Sequence, residues 1–153
     1  MGTISTRRRI IAVLAGLAAA PLLPFRAARA QADPFAALLK QLTGGATVRN
    51  GRVTVDTPRL ADNGHSVPLT VSVESPMTAA DHVRSITLLS ERNPRPIMAT
   101  YHLGPKAGRA EVTTRVRLNG TQRLLAVAHL SDGSYWSGMA EVEVTESACL
   151  DMG

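Results

Sequence analysis

From residue 46 onward, apolar and polar residues alternate in short runs, and this period of two is the feature that most constrains the fold. In the clearest run, Ala110 to Leu118, the residues Ala, Val, Thr, Val and Leu alternate with Glu, Thr and Arg. Such a run predicts a β-strand with one buried face. Residues 124–130 are nearly all apolar, which predicts a central strand covered on both faces.

The same reading applied to the whole chain predicts a series of short strands. They cover residues 53–55, 67–73, 83–89, 97–103, 110–118, 124–130 and 135–145. Turn signals such as Asn119-Gly120 and Asp132-Gly133 separate them. Pro68, near the start of its strand, predicts an edge position. About seven strands of this kind predict an all-β fold, an antiparallel β-sandwich.

A short helix is predicted ahead of the strands, over residues 33–45. Asp33 can cap it, Pro34 suits its first turn, and Gly44-Gly45 ends it. One face carries apolar residues at helical spacing, namely Phe35, Leu38, Leu39 and Leu42. We expect this stripe to dock on the sandwich or on a partner chain.

Residues 1–32 have the three parts of an export signal. Arg7 and Arg8 follow a Thr and precede Ile-Ile, which resembles a twin-arginine signal, while the alternative is an ordinary secretion signal. The apolar run Ile10–Leu23 is shorter than the about 20 residues that a membrane span needs. Cleavage after Ala30 or Ala32 fits the small residues there. The segment predicts a periplasmic protein without a stable membrane insertion.

The basic balance of the chain, with a net charge of +5, comes from this signal. It holds five of the 17 basic residues and no acidic one, so the remaining 12 basic residues balance the 12 acidic residues. The mature domain therefore lacks the charge surplus that nucleic-acid or anionic-membrane binding requires.

Catalytic and metal-binding motifs are missing from the sequence. There is no Gly-x-Ser-x-Gly, no close spacing of Cys or His ligands and no glycine-rich phosphate loop. We therefore predict no catalytic residue, metal or cofactor, although five methionines beside four histidines leave a copper-binding protein as a third alternative. The histidines, interpreted as surface or structural residues, are His65, His82, His102 and His129. Tyr135-Trp136 suits either an interface anchor or core packing.

Cys149 is the one cysteine of the chain, and it lies close to the C-terminus. An unpaired cysteine in an exported protein indicates a reactive thiol or an intermolecular bond. It follows the last predicted strand directly, so we expect it on a short tail with a reach from Glu146 of about 10 Å. The alternative is an incidental cysteine without a function.

Several stretches of the sequence resemble the SoxY family, the sulfur-carrier subunits of bacterial thiosulfate oxidation. They are Arg49-Asn-Gly-Arg-Val53, Val67-Pro-Leu-Thr-Val-Ser-Val-Glu-Ser-Pro-Met77, Asn93-Pro-Arg-Pro96 and Val127-Ala-His-Leu-Ser-Asp-Gly133. The resemblance implies an immunoglobulin-like sandwich that forms a heterodimer with a second sandwich subunit, SoxZ. It also implies a C-terminal Gly-Gly-Cys-Gly-Gly arm that carries sulfur intermediates on its cysteine while other enzymes act on them.

The arm of this chain, 146–153, departs from that pattern around Cys149. The flanking residues are Ser147, Ala148, Leu150 and Asp151, which is similar to a SoxY-related paralogue group with an Ala-Ala-Cys-Ile-Glu arm. Side chains here stiffen and thicken an arm that glycine leaves flexible. Glu146 and Asp151 disfavour the thiolate and repel an anionic adduct. The carried group is therefore left open.

These observations predict a non-catalytic periplasmic carrier with a signal at 1–32, a helix at 33–45, a sandwich at 46–145 and an arm at 146–153. Cys149 is the predicted attachment residue. The predicted partners are a SoxZ-like subunit and periplasmic redox or hydrolytic enzymes. The alternative is a SoxY-like binding or assembly module in which the cysteine is never loaded.

Overall fold

The computed structural model describes residues 33–148, and this range contains one α-helix, nine β-strands and one 3-10 turn. The elements are α1 (Ala36–Thr43), β1 (Val48–Asn50), β2 (Val53–Asp56), β3 (Leu60–Asn63), β4 (Val67–Val73), β5 (Val83–Ser90), β6 (Ile97–His102), the 3-10 turn (Pro105–Ala107), β7 (Glu111–Val116), β8 (Gln122–Leu130) and β9 (Tyr135–Glu146). The predicted signal and the predicted residues Cys149, Leu150 and Asp151 lie outside the described range.

The strands form two sheets that face each other. The larger sheet has the order β1-β9-β8-β5-β6, with β3 also paired to β9, and the smaller sheet has the order β2-β4-β7. The pairs β2–β4, β4–β7, β5–β6, β5–β8 and β8–β9 are antiparallel, as the alternation and the turns predict. Apolar side chains from both sheets meet in one core, which confirms the sandwich.

Strand β8 is buried on both faces, as its uniform apolar sequence predicts. Leu124, Ala126 and Leu130 point into the core between the sheets. Leu125 and Val127 lie on the opposite face, in a second apolar cluster with the residues of α1. The helix therefore covers the outer face of the larger sheet.

Helix α1 lies within the predicted range 33–45, but it begins later, at Ala36, and its N-cap is Phe35 and not Asp33. The Phe35 backbone N–H donates to Asp33 Oδ1 at 3.2 Å, and the Phe35 side chain is fully buried. Gly44 adopts the left-handed conformation at φ 64°, and the Gly45 N–H donates to the Lys40 carbonyl at 3.0 Å. The predicted docking of the apolar stripe on the sandwich is confirmed.

Two features differ from the sequence prediction. Strands β1 and β3 were not predicted, and both pair with β9 in parallel, for example Leu60 with Glu143. The prediction that the strand with Pro68 lies at an edge is wrong, because β4 is the middle strand of the smaller sheet. Pro68 is tolerated there because β2 pairs only with 70–73, so no β2 residue pairs with Pro68.

Candidate functional site at the root of the C-terminal arm

The last strand, β9, ends at Glu146, and the chain is then held by two loops. Gly64 N–H donates to the Glu146 carbonyl at 2.7 Å, Leu118 N–H donates to the Gly64 carbonyl at 2.8 Å, and Ala148 N–H donates to the Leu118 carbonyl at 3.1 Å. We call these three bonds the arm-root clamp. Ala148 is fully buried. The residue directly before Cys149 is thus anchored to the sandwich.

Gly64 is needed for this close approach. A Cβ at this position would lie 2.1 Å from the Leu118 oxygen and 2.9 Å from the Ala148 nitrogen. No side chain fits at these distances, so only glycine lets the three segments meet.

A polar network next to the clamp fixes the loop that follows β5. Gln122 is 3% exposed, and its Oε1 accepts from Ser90 Oγ and, at 3.1 Å, from the Arg92 N–H. Asn93 Oδ1 accepts from Gln122 Nε2 at 3.2 Å and from the Asn119 N–H at 3.0 Å. The Asn93-Pro94 stretch of the sequence thus joins this loop to the turn before β8.

Arg92 places a positive charge beside the arm root. Its Nη1 donates to the Thr121 carbonyl at 3.1 Å. The space above Gly120, where a Cβ would be built, is bordered by Ser147 Oγ at 3.1 Å and by Arg92 Nη1 at 3.5 Å. The guanidinium and the residue two before Cys149 therefore line the same small gap.

The start of the described chain lies at the same end of the sandwich. The Arg123 guanidinium makes two hydrogen bonds of 3.0 Å to the Glu91 carboxylate and lies 3.6 Å from Asp33 Oδ1. Hydrogen bonds from Arg123 are the main cause that lowers the pKa of Glu91. The same guanidinium lies 5.5 Å from the centre of the Phe35 ring. Arg123 thus ties the beginning of α1 to the sheet.

The structure brings together only part of the predicted arm. Ser147 and Ala148, predicted as arm residues, lie against the sandwich, whereas Cys149, Leu150 and Asp151 lie outside the described residues. No local pattern in the sequence indicates Gly64 or Arg92 as neighbours of the arm. Their role depends on contacts between residues far apart in the chain.

The remaining candidate residues lie elsewhere. Within residues 33–148, no group of three or more His, Cys, Asp or Glu side chains is arranged to hold a metal ion. His129 stacks on Tyr135 with ring centres 4.5 Å apart, and burial lowers its pKa. The Trp136 ring has the guanidinium groups of Arg49 and Arg52 each 5.5 Å from its centre, and it packs partly against the core. No helix in the described part of the chain is long and apolar enough to cross a membrane.

Two facing sheets, an outer helix and a clamped C-terminal segment define a β-sandwich module with a C-terminal arm. The chain belongs to the SoxY family, because the family model of the sulfur oxidation protein SoxY matches residues 39–149. The matched range ends at the position of Cys149. No curated protein matches the chain.

Solved structures show the same fold. The sulfur carrier protein SoxY from Chlorobium limicola f thiosulfatophilum is 24% identical, with a TM-score of 0.60 over 71% of this chain and 94% of that chain. The superoxide reductase (neelaredoxin) from Ignicoccus hospitalis is 21% identical, with a TM-score of 0.55 over 61% of this chain and 80% of that chain. The superoxide reductase from Nanoarchaeum equitans is 14% identical, with a TM-score of 0.52 over 63% of this chain and 100% of that chain. At these identities the likeness concerns the fold alone.

Proposed function

We propose that this chain is a periplasmic covalent carrier that holds a sulfur-containing or related intermediate on Cys149 while partner enzymes act on it. The observation that carries the proposal is the family match, which extends through the sandwich and ends at this cysteine. A thiolate is a strong nucleophile without a base beside it, so a carrier needs no catalytic set of its own.

The arm-root clamp supports a shorter reach than the sequence predicts. Ala148 is buried and bonded to Leu118, so the clamp holds the chain as far as the residue before Cys149. A partner enzyme must therefore approach this end of the sandwich or open the clamp.

Mass spectrometry of the protein isolated from its native periplasm tests the proposal. We expect an added mass on the peptide that contains Cys149, removed by a thiol reductant if the bond is a disulfide or persulfide. A Cys149→Ser variant from the same cells is the control and should carry no addition. An unmodified thiol throughout growth on reduced sulfur compounds would instead favour the unloaded binding or assembly module.

We also propose export by the twin-arginine route, on the sequence of residues 1–32. Replacing both Arg7 and Arg8 by Lys should leave the precursor in the cytoplasm. Fractionation of cells that carry the double variant gives the answer, and normal export of that variant would point to the ordinary secretion route.

We propose that a SoxZ-like subunit pairs with this chain through strand β6. Among the free sheet edges in residues 33–148, β6 has six residues without Asp, Glu, Lys or Arg, whereas β1, β2, β3 and β7 each carry at least one such charge. Ile97 is 46% exposed on it. A long uncharged edge favours the addition of another strand, and charges at an edge oppose it.

The edge is tested by mixing the purified chain with the SoxZ-like subunit and measuring the mass of the complex. The double variant Ile97→Lys with Thr100→Lys should lower the affinity of the heterodimer at least about tenfold, since buried unpaired charges oppose strand pairing. Thr54→Lys, on the edge strand β2, is the matched control and should bind as the parent chain does. Equal affinity of both variants would exclude β6 as the contact.

A further inference from the structure

We infer that Arg92, Arg95 and Arg117 form a docking surface for an acidic face of a partner protein. We call these three residues the basic rim. All three are exposed, two of them on the loop after β5 and the third directly after β7. That the partner is an enzyme acting at the arm rests on the proposed function, whereas the surface itself consists of described residues only.

The loop 91–96, which carries two of these arginines, is held in one conformation. The Ser90 N–H donates to the Pro96 carbonyl at 2.8 Å, and the Asn93 N–H donates to Ser90 Oγ at 3.0 Å. Arg95 stands between two prolines, each of which fixes its own φ angle. A surface that is ordered before binding loses less conformational entropy when a partner binds, so this loop suits recognition.

The Asn93 side chain joins the third arginine to the same surface. Its Nδ2 donates to the Arg117 carbonyl at 2.8 Å, and its Oδ1 accepts from the Asn119 N–H at 3.0 Å. Arg92, the preceding residue, donates from Nη1 to the Thr121 carbonyl at 3.1 Å. Two segments that are distant in sequence therefore present their guanidinium groups at one end of the sandwich.

The basic rim has no carboxylate partner within the described part of the chain. The side chains of Arg95 and Arg117 make no hydrogen bond or ion pair there, and Arg92 makes no ion pair. Glu91, the acidic residue of the same loop, is occupied by Arg123 at 3.0 Å. A guanidinium donates several N–H groups in one plane and suits the carboxylates of another protein.

The basic rim also lies beside the root of the arm. The gap above Gly120 is bordered by Arg92 Nη1 at 3.5 Å and by Ser147 Oγ at 3.1 Å. Glu146 adds one exposed negative charge here, which the three positive charges outnumber. A protein docked on the basic rim therefore contacts the arm root, and the opposite charges of the two surfaces speed their association.

The test titrates a hexaglutamate peptide into the purified mature chain and follows the backbone amides by nitrogen-15 NMR. At an ionic strength of about 10 mM, the largest shifts should fall on the loop 91–96 and on the amides of Arg117, Gly120 and Ser147. They should disappear at about 1 M salt, because salt screens exposed charges. Hexaglutamine is the uncharged control peptide, and sodium sulfate at equal ionic strength is the small-anion control.

Two double variants locate the site. Arg95→Gln with Arg117→Gln should weaken hexaglutamate binding about four- to 25-fold, since each exposed ion pair contributes a factor of about two to five. Lys106→Gln with Arg109→Gln is the matched control, because it removes the same charge from the loop at the opposite end of β6. It should leave the affinity within about twofold.

Equal weakening in both double variants would overturn the inference, since it would assign the binding to net charge. Sulfate that gives the same shifts with the same affinity would also overturn it, in favour of a small-anion site, as would the absence of peptide binding. Thermal melts show whether the variants are folded. The test does not involve Cys149, so a cysteine that is never loaded would contradict the carrier proposal and leave this surface in place.

Discussion

Replacing Gly64 by Ala should disrupt the arm-root clamp and lower the stability of the fold. The added Cβ would lie 2.1 Å from the Leu118 oxygen and 2.9 Å from the Ala148 nitrogen, so these backbone segments have to separate. The φ angle of Gly64 is not in the left-handed region, so the effect is steric and not conformational.

The expected magnitude follows from two contributions. Forced expansion at a tightly packed position costs about 1–3 kcal/mol. Loss of the Ala148 N–H bond to Leu118 adds about 1 kcal/mol. We therefore expect Gly64→Ala to lower the free energy of unfolding by about 2–4 kcal/mol, which lowers Tm by about 10 °C for a domain of this size.

Two other glycines give the comparison. A Cβ at Gly104 meets no atom within 4 Å, so Gly104→Ala should change stability by less than about 0.5 kcal/mol. A Cβ at Gly138 would lie 2.1 Å from the Val53 oxygen, between the sheets, so Gly138→Ala should destabilise the fold without a specific effect on the clamp.

Thermal melts and amide hydrogen exchange separate these cases. In Gly64→Ala, the Ala148 amide should lose protection more than the amides of β8 do, because the local clamp opens before the sheet unfolds. In Gly138→Ala, the amides of Ala148 and β8 should lose protection together. Equal Tm values for Gly64→Ala and Gly104→Ala would refute the reasoning, as would full protection of Ala148 in Gly64→Ala.

Four further outcomes are expected. Burial lowers the pKa of His129 in the folded protein. The contribution of the neutral imidazole to stability is therefore complete above the unfolded pKa of about 6.5 and declines as the pH falls below that value. In urea unfolding, the free energy of unfolding should fall more steeply from pH 7 to pH 5 in the parent chain than in His129→Gln. Arg123→Gln removes the contacts to Glu91, Asp33 and the Phe35 ring and should lower the free energy of unfolding more at low salt than at high salt, and an effect independent of salt would contradict an electrostatic cause. Cys149→Ser should keep Tm within about 1–2 °C while it abolishes adduct formation, and a large fall in Tm would indicate a structural cysteine. Neutralising Glu146 and Asp151 to Gln and Asn should speed alkylation of Cys149 by iodoacetamide, because the thiolate fraction rises, and an unchanged rate would show that these carboxylates do not act on the thiol.

The regular part of the fold was predictable because it depends on local periodicity. Alternation predicted one buried face for the strands now seen as β2, β4, β7 and β9, and the continuous apolar run of β8 indicated burial on both faces. The Gly44-Gly45 signal indicated the end of α1, whereas its first residue, Ala36, lies after the predicted start at Asp33. Each of these patterns is complete within about ten residues of sequence.

Pairing partners were less predictable. Strands β1 and β3 have only three and four residues, which are too few for a clear alternation. Both pair in parallel with β9, and a parallel pair is not joined by a tight turn that the sequence could reveal. The prediction that Pro68 marks an edge strand is wrong because proline lacks only its own backbone N–H. Strand β2 pairs with residues 70–73 of β4, so no β2 residue needs a hydrogen bond from Pro68.

The strands β2 and β4–β9, the helix and the position of the single cysteine could be predicted, since each is a property of one short segment. The surroundings of the arm root depend on contacts between distant segments. Gly64, Leu118 and Ala148 meet through backbone atoms, which carry no pattern in the sequence, and Arg92 reaches Ser147 across the turn at Gly120. A local pattern specifies which face of a segment is buried, but the neighbour of a loop is set by how the two sheets close over their common core.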